Sequence, residues 1–220
     1  MNLIGVHPWP TDAAHAIALQ KELRALVSTV DDLGAVNTVA GLDVGPPSSA
    51  GLIRGAVAAL AFPDLRTADQ AVAYRVPSLP YVPGLLSFRE VPALLAALQK
   101  LCVQPDLLLC DGQGLAHPRR FGIACHLGVL TGIPSIGVAK SLLVGEHAPV
   151  PGKRGAWRPL RHKGEIVGAA LRTRTGRAPV YVSIGHRVSL ETAIRYTLAC
   201  TPRFRLPETT RAAHRLASGP

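Results

Sequence analysis

The sequence predicts an α/β fold whose central mixed sheet has three antiparallel strands first and parallel strands after, flanked by helices. Three observations carry this. The apolar runs Leu107 to Cys110 and Ser135 to Ala139 are too short for independent helices and have the unbroken character of buried parallel strands. Between them, Phe121 to Thr131 follows a helical pattern stopped by Gly132 and Pro134, which completes a strand–helix–strand unit. Upstream, three β-rich segments succeed one another with only short turns, as antiparallel neighbours do. The 220 residues fit a single domain over 1–220, large enough to bury roughly 70% of its unfolded surface without a disulfide or metal staple.

Thr11 to Val30 reads as the first helix, with Thr11 and Asp12 as cap candidates and an approximate stripe of Ile17, Leu19, Leu23, Leu26 and Val27. Val36 to Val44, Leu52 to Ala61 and Ala68 to Val76 are the three strands, the last weakened by its alanines. Tyr81-Val82-Pro83-Gly84 is a stiff loop before a helix over Val91 to Leu101. Ser87 and Glu90 have the spacing of a capping box. Pro92 argues against it, because proline prefers the first helical position and would leave Glu90 just outside the helix. Past Ala139, Val150 to Lys163 reads as a Pro/Gly/Arg-rich loop, and Glu165 to Arg172 with Val180 to Ile184 as a hairpin-like pair. Ser189 caps a helix from Leu190 to Cys200, and Pro207-Glu208 opens a last helix that carries His214.

Lys and Arg number 24 against 14 acids, a net charge of +10. Such a field attracts polyanions, chiefly nucleic acid, although a generic basic surface gives the same count. The four cysteines, Cys102, Cys110, Cys125 and Cys200, lie in apolar sequence without metal-ligand spacing and read as small buried hydrophobes of a reducing cytosol. The opening MNLIGVHPWP lacks a leader pattern, and no run is long enough to cross a bilayer, so the expectation is a cytoplasmic protein with no membrane partner, monomeric by default.

Against this basic background, carboxylates collect where strands end. Asp111 closes the Leu107 to Cys110 strand, at the sheet edge where α/β proteins bind ligands, and Asp43 sits inside an otherwise apolar strand. Gly112 and Gly114 follow Asp111 and allow close backbone approach, His117 stands at a basic helix start, and Lys140 ends the next strand. Asp43, Asp111 and Glu90 form a sparse oxygen set of the kind that holds Mg²⁺ together with water and phosphate oxygens. Phosphodiester hydrolysis is the natural reaction class, with Lys140 holding phosphate and His214 positioning or deprotonating the nucleophile. Each residue also has a plainer reading: Asp43 as a turn opener, Glu90 as a cap, Lys140 as a solvated strand end, His214 as surface, Tyr81 as a loop anchor rather than a base wedge. Zinc is disfavoured, since no histidines show HExxH-like pairing.

The segments GLDVG, YVPGLLSFRE, PDLLLCDGQGLAHPRRFGIACHLG, PSIGVAKSLLVG and VYVSIGHRVSL closely resemble the endonuclease V family, in the same order and over roughly residues 36 to 217. The resemblance implies a ribonuclease-H-like fold and a Mg²⁺-dependent nuclease, with Mn²⁺ as substitute. Its substrate would be DNA containing deaminated bases, nicked at the second phosphodiester bond 3′ to deoxyinosine to leave 3′-hydroxyl and 5′-phosphate ends. It further implies that Asp43 and Asp111 bind metal, that Glu90 and Lys140 are catalytic, and that His214 lies near the metal. Tyr81 corresponds to the wedge that fills the gap behind an extruded base, and Gly84, Leu86, Gly112 and Ile123 match the pocket that receives it. Gln113 departs from the His that many relatives carry in DGHG. Two other functions remain open at this point: cleavage of inosine-containing RNA, and a non-catalytic nucleic-acid-binding module on the same scaffold.

Overall fold

Among the described residues eight strands form one mixed sheet, with the strands buried along their whole length, β4 and β5, near its centre. The computed structural model describes residues 7 to 219; residues 1–6 and 220, which the single-domain expectation includes, lie outside the described residues. After helix α1 (Ala13–Leu23) and a short 3₁₀ turn, β1 (Thr38–Val44) pairs antiparallel with β2 (Ile53–Ala61), and β2 with β3 (Thr67–Arg75). Helix α2 (Leu86–Leu98) then leads to β4 (Leu107–Cys110), which lies parallel to β1. Helix α3 (Ile123–Thr131) carries the chain to β5 (Ser135–Ala139), parallel to β4. Beyond it come β6 (Trp157–His162), β7 (Glu165–Leu171) and β8 (Val180–His186), all antiparallel to their neighbours, giving the order β3-β2-β1-β4-β5-β8-β7-β6. Helices α4 (Leu190–Ala199) and α5 (Glu208–Ser218) complete the chain.

The strand period of two divides each central strand between two cores. Leu108 and Cys110 of β4 pack with Leu42, Leu94 and Leu127 under α2 and α3. Leu107 and Leu109 face the other side, with Ile136, Val188 and Ile194. All four β4 residues are buried, which is why this strand reads as a continuous apolar run.

The structure departs from the sequence reading at four places. Helix α2 begins at Leu86, so Pro92 lies inside it and Glu90 is a helical residue, with no side-chain cap at its N-terminus. Proline removes the hydrogen bond that would end on the Phe88 carbonyl; that oxygen instead accepts from the Ser78 hydroxyl at 3.4 Å. Trp157–His162, read as loop, is the outer edge strand β6, a place where arginine and proline are tolerated because one side of the strand carries only an isolated bridge from Arg161 to Glu146. The first helix stops at Leu23, well before Val30. Cys102 is exposed, unlike the other three cysteines. No helix among the described residues is long and apolar enough to cross a membrane.

Candidate active site

Strands β1 and β4 run parallel with Leu42 opposite Cys110, so the next residues, Asp43 and Asp111, emerge side by side at the carboxyl ends of adjacent strands. The Asp111 N–H donates to the Leu42 carbonyl at 3.2 Å, which fixes the acid beside β1. One strand further on, Lys140 follows the end of β5 and its Nζ lies 2.6 Å from Asp111 Oδ2. A strand-end lysine thus faces a strand-end acid across one inter-strand gap.

Asp43 is held from the opposite direction. Its Oδ1 accepts from the Val44 N–H at 2.9 Å and its Oδ2 lies 2.6 Å from His214 Nδ1 on α5. That helix reaches the acid because Gly41 and Gly45 leave room: a Cβ at either would run into the backbone of Thr209 or Ala217. Glu90 approaches from α2. Burial, then the charges of Asp43 and Asp111, push its carboxyl up to about 8. Burial also raises Asp43, a shift opposed by the His214 hydrogen bond and reinforced by Asp111. Three carboxyl groups therefore act on one another, with Lys140 paired to Asp111 and His214 to Asp43.

Beside Asp111 opens a pocket of about 320 Å³ lined by Tyr81, Gly84, Leu86, Gly112, His117 and Ile123, together with Asp111 and Lys140. Tyr81 is 68% exposed at its rim. Gly84 takes φ +77°, a left-handed conformation that glycine adopts without strain. Its carbonyl accepts from Gln20 Nε2 at 3.0 Å, His117 Nε2 at 3.0 Å and Arg119 Nη2 at 2.6 Å. The floor is tight: a Cβ at Gly112 would sit 2.7 Å from Ile123 Cγ2.

His117 lines this pocket but works behind it. Its Nδ1 accepts from the Arg119 N–H at 3.2 Å, so the ring proton is on Nε2 and is donated to Gly84. Burial, then the Arg119 charge, lowers it to about 4, and the ring is neutral at pH 7. Gly114, expected from sequence to contact substrate, is not among the pocket residues. It is buried, its N–H donates to Ser183 Oγ at 2.8 Å, and a Cβ there would meet the Ile184 carbonyl. Its smallness lets the turn after Asp111 cross β8.

Sequence reasoning missed Gln20 and the pair Leu142 and Leu143, and met Gln113 only as a departure from the family's motif. Gln20 is 1% exposed and joins the Gly84 carbonyl, the Phe121 carbonyl at 3.1 Å and Arg119. A signal existed, since Gln20 lies three residues after Ile17 and three before Leu23, on the apolar stripe itself. Gln113 lines the pocket and donates to the Ser141 carbonyl at 3.1 Å, tying the loop after Lys140 across the pocket. Leu142 and Leu143, also in its lining, are apolar residues left exposed in that loop.

The donor set suits a hard cation. Its groups are carboxylate oxygens, Asp43 and Glu90 are both shifted upward by burial and by neighbouring carboxylates, and a cation beside them would remove that cost. Among the described residues no three acid, histidine or cysteine side chains form a complete cage, so Asp43 and Asp111 would hold an ion with water and substrate oxygens filling the remaining positions.

Paired aspartates at the carboxyl ends of adjacent parallel strands, a lysine opposite them and a slot alongside, all on this mixed sheet, define a nuclease of the ribonuclease-H-like class. The family model for endonuclease V matches residues 21–215. Endonuclease V of Roseiflexus castenholzii is 64% identical over 212 residues, covering 96% of this chain and 95% of its own. The crystal structure of endonuclease V from Streptomyces avermitilis superimposes with a TM-score of 0.91 at 45% identity, covering 95% of this chain and 92% of its own. That of Ciona intestinalis endonuclease V, in complex with a 24mer DNA containing an inosine followed by a ribo-adenosine, gives 0.81 at 30% identity, covering 93% and 95%. The chain belongs to the endonuclease V family.

Proposed function

We propose that the protein is a Mg²⁺-dependent repair endonuclease that nicks the second phosphodiester bond 3′ to deoxyinosine and leaves 3′-hydroxyl and 5′-phosphate ends. The observation that carries this reading is the pairing of Asp43 and Asp111 at adjacent strand ends with the 320 Å³ pocket opening directly beside Asp111. The bound inosine-containing DNA of the Ciona relative supports the lesion class. Asp43 and Asp111 would hold the divalent ion, Mg²⁺ or, as substitute, Mn²⁺, which when bound would supply activation of water and neutralisation of the leaving oxygen.

The chain's own residues do the rest. Glu90, protonated at neutral pH while its carboxyl stands near 8, would ionise with a cation beside it and then accept the proton of the attacking water. Lys140 orients Asp111 through their 2.6 Å ion pair and presents positive charge to the scissile phosphate. His214 fixes the Asp43 carboxylate. Gly84 and Gly112 offer backbone groups to an extruded base that packs against Leu86 and Ile123, while Tyr81 fills the gap in the stack. Mispaired bases flip at least cost, which favours deaminated ones.

A second reading, cleavage of inosine-containing RNA, draws on the ribonucleotide that follows the inosine in the Ciona complex. Rates on matched DNA and RNA oligonucleotides separate the two. The central test is a labelled duplex with one deoxyinosine, incubated with Mg²⁺ and mapped to the nucleotide. Asp43→Asn and Asp111→Asn are each expected to lower nicking roughly 10³-fold, about 4 kcal/mol of transition-state stabilisation, while substrate binding in Ca²⁺ survives. Full activity in either variant removes the assignment.

A further inference from the structure

The sheet's outer half carries cations that the chemistry above leaves unused. In register, Ala139 at the end of β5 faces Tyr181 of β8, its neighbour Val180 faces Leu171 at the end of β7, and Leu171 faces Trp157 at the start of β6. These strand ends therefore share one rim with Lys140. Three inter-strand steps separate Lys140 from Trp157, about 14 Å, or roughly four nucleotides at single-strand helical spacing.

The loops on this rim are stapled together. The Gly155 N–H donates to the Arg172 carbonyl and the Arg172 N–H to the Ala156 carbonyl, both at 2.8 Å, while Gly176 N–H donates to the Gly152 carbonyl at 3.1 Å. The Arg172 guanidinium donates to the carbonyls of Pro151 at 3.1 Å and Val150 at 2.6 Å. Arg205 joins this platform to the active site: it donates to the carbonyls of Lys140 at 2.7 Å, Pro179 at 2.8 Å and Ala178 at 2.9 Å. With Arg172 and Arg205 committed to backbone oxygens, Lys153, Arg174 and Arg177 stay exposed on the surface. Trp157 is 41% exposed on the sheet's edge strand. From His147 to Arg187 the sequence holds one acid, Glu165. It begins β7, at the far rim, and is paired with Arg120 at 2.9 Å.

We infer that this rim is a second binding surface, on which the nucleic-acid strand leaving the active site runs with its phosphates against Lys153, Arg174 and Arg177 and a base stacked on Trp157. Cations that neutralise phosphates with an exposed aromatic beside them form the usual platform for a single strand. The surface rests on the proposed nuclease reading for its direction and connection to the site, and on its own charge for its ability to bind.

The test separates the two. Binding of an undamaged single-stranded oligonucleotide is measured across a salt series for the intact protein, for Lys153→Gln/Arg174→Gln/Arg177→Gln and for Trp157→Ala, with thermal melts to verify folding. Loss of three phosphate contacts lowers the slope of log K against log salt by about 2, and loss of the stacking platform weakens binding roughly tenfold. In parallel, deoxyinosine substrates are shortened on each arm. Extending one arm by about four nucleotides past the nick speeds cleavage by the intact protein, and the triple variant loses that gain. An unchanged salt slope in well-folded variants overturns the inference even if nicking is normal. Equal affinity for a polyglutamate peptide overturns it as well, by making the surface a protein site. A reduced slope without any nicking leaves the strand surface standing and removes the nuclease reading instead.

Discussion

Glu90 shows how the candidate site stores an unfavourable ionisation. Its carboxyl is pushed to about 8 by burial and by Asp43 and Asp111, above its unfolded value, so the folded protein favours the protonated form. Its contribution to stability is therefore complete below the unfolded pKa of 4.5 and is lost as pH rises through about 8. Glu90→Gln keeps the shape and removes the titration. Metal-free Glu90→Gln is expected to match the parent protein near pH 4.5 and to exceed its unfolding free energy by on the order of 1–3 kcal/mol at pH 8.5, with Mg²⁺ narrowing the gap. Denaturant unfolding at the two pH values reads this directly; a gap that stays constant with pH refutes it. At this scale Asp111 and Lys140 were legible because both terminate short apolar runs. Glu90 was misplaced because Pro92 weighed as a helix start when Ser78 in fact satisfies the carbonyl that proline leaves free.

The elements legible in sequence were those whose signal is local. The β4–α3–β5 unit announces itself within one stretch of chain, and its predicted boundaries for both strands match the structure. Edge strand β6 did not, because β7 is its only strand neighbour, its other side makes just an isolated bridge to Glu146, and its exposed residues Arg158 and Arg161 break the apolar pattern. The seat of α5 was also hidden, since the contact is made by side chains that are missing: Gly41 and Gly45 admit the helix backbone. Gly41→Ala would drive a methyl into the Thr209 carbonyl, tilt α5 from β1 and draw His214 away from Asp43. A loss of about 2 kcal/mol, or roughly 4–8 °C in Tm, is expected, with a fall in nicking rate beyond what the melting shift explains. Gly34→Ala, where nothing lies within 4 Å of the added methyl, is the control and should melt within about 1 °C of the parent.

Across the whole molecule the fold closes by joining chain ends. Helix α5, last in sequence, lies on β1, the first strand, on the face away from α2 and α3. Beneath it are Gly41 and Asp43, with their register partners Ala58 and Ala56 on β2, both alanines 1% exposed or less. The face α5 turns inward is equally small: Thr209, Thr210, Ala213 and Ala217 are buried. No periodicity in either segment names the other, so the packing of α5 on β1 was not legible in the sequence, whereas the local strand–helix–strand unit was. Because β1 also pairs with β2 and β4, uncovering it weakens the sheet at its middle. A chain ending at Arg203 is expected to lose its single cooperative transition or to melt more than about 10 °C lower, with exposed β1–β2 surface promoting aggregation. His214→Ala in the full chain removes only an exposed ring and its Asp43 contact, so its stability should stay within about 0.5 kcal/mol of the parent while nicking falls. Circular-dichroism melts of the two proteins decide the matter. If the shortened chain melts as sharply and as late as the intact one, α5 is an appendage that delivers a histidine; if only the shortened chain fails, the same helix that orients Asp43 is also what holds the sheet's centre together.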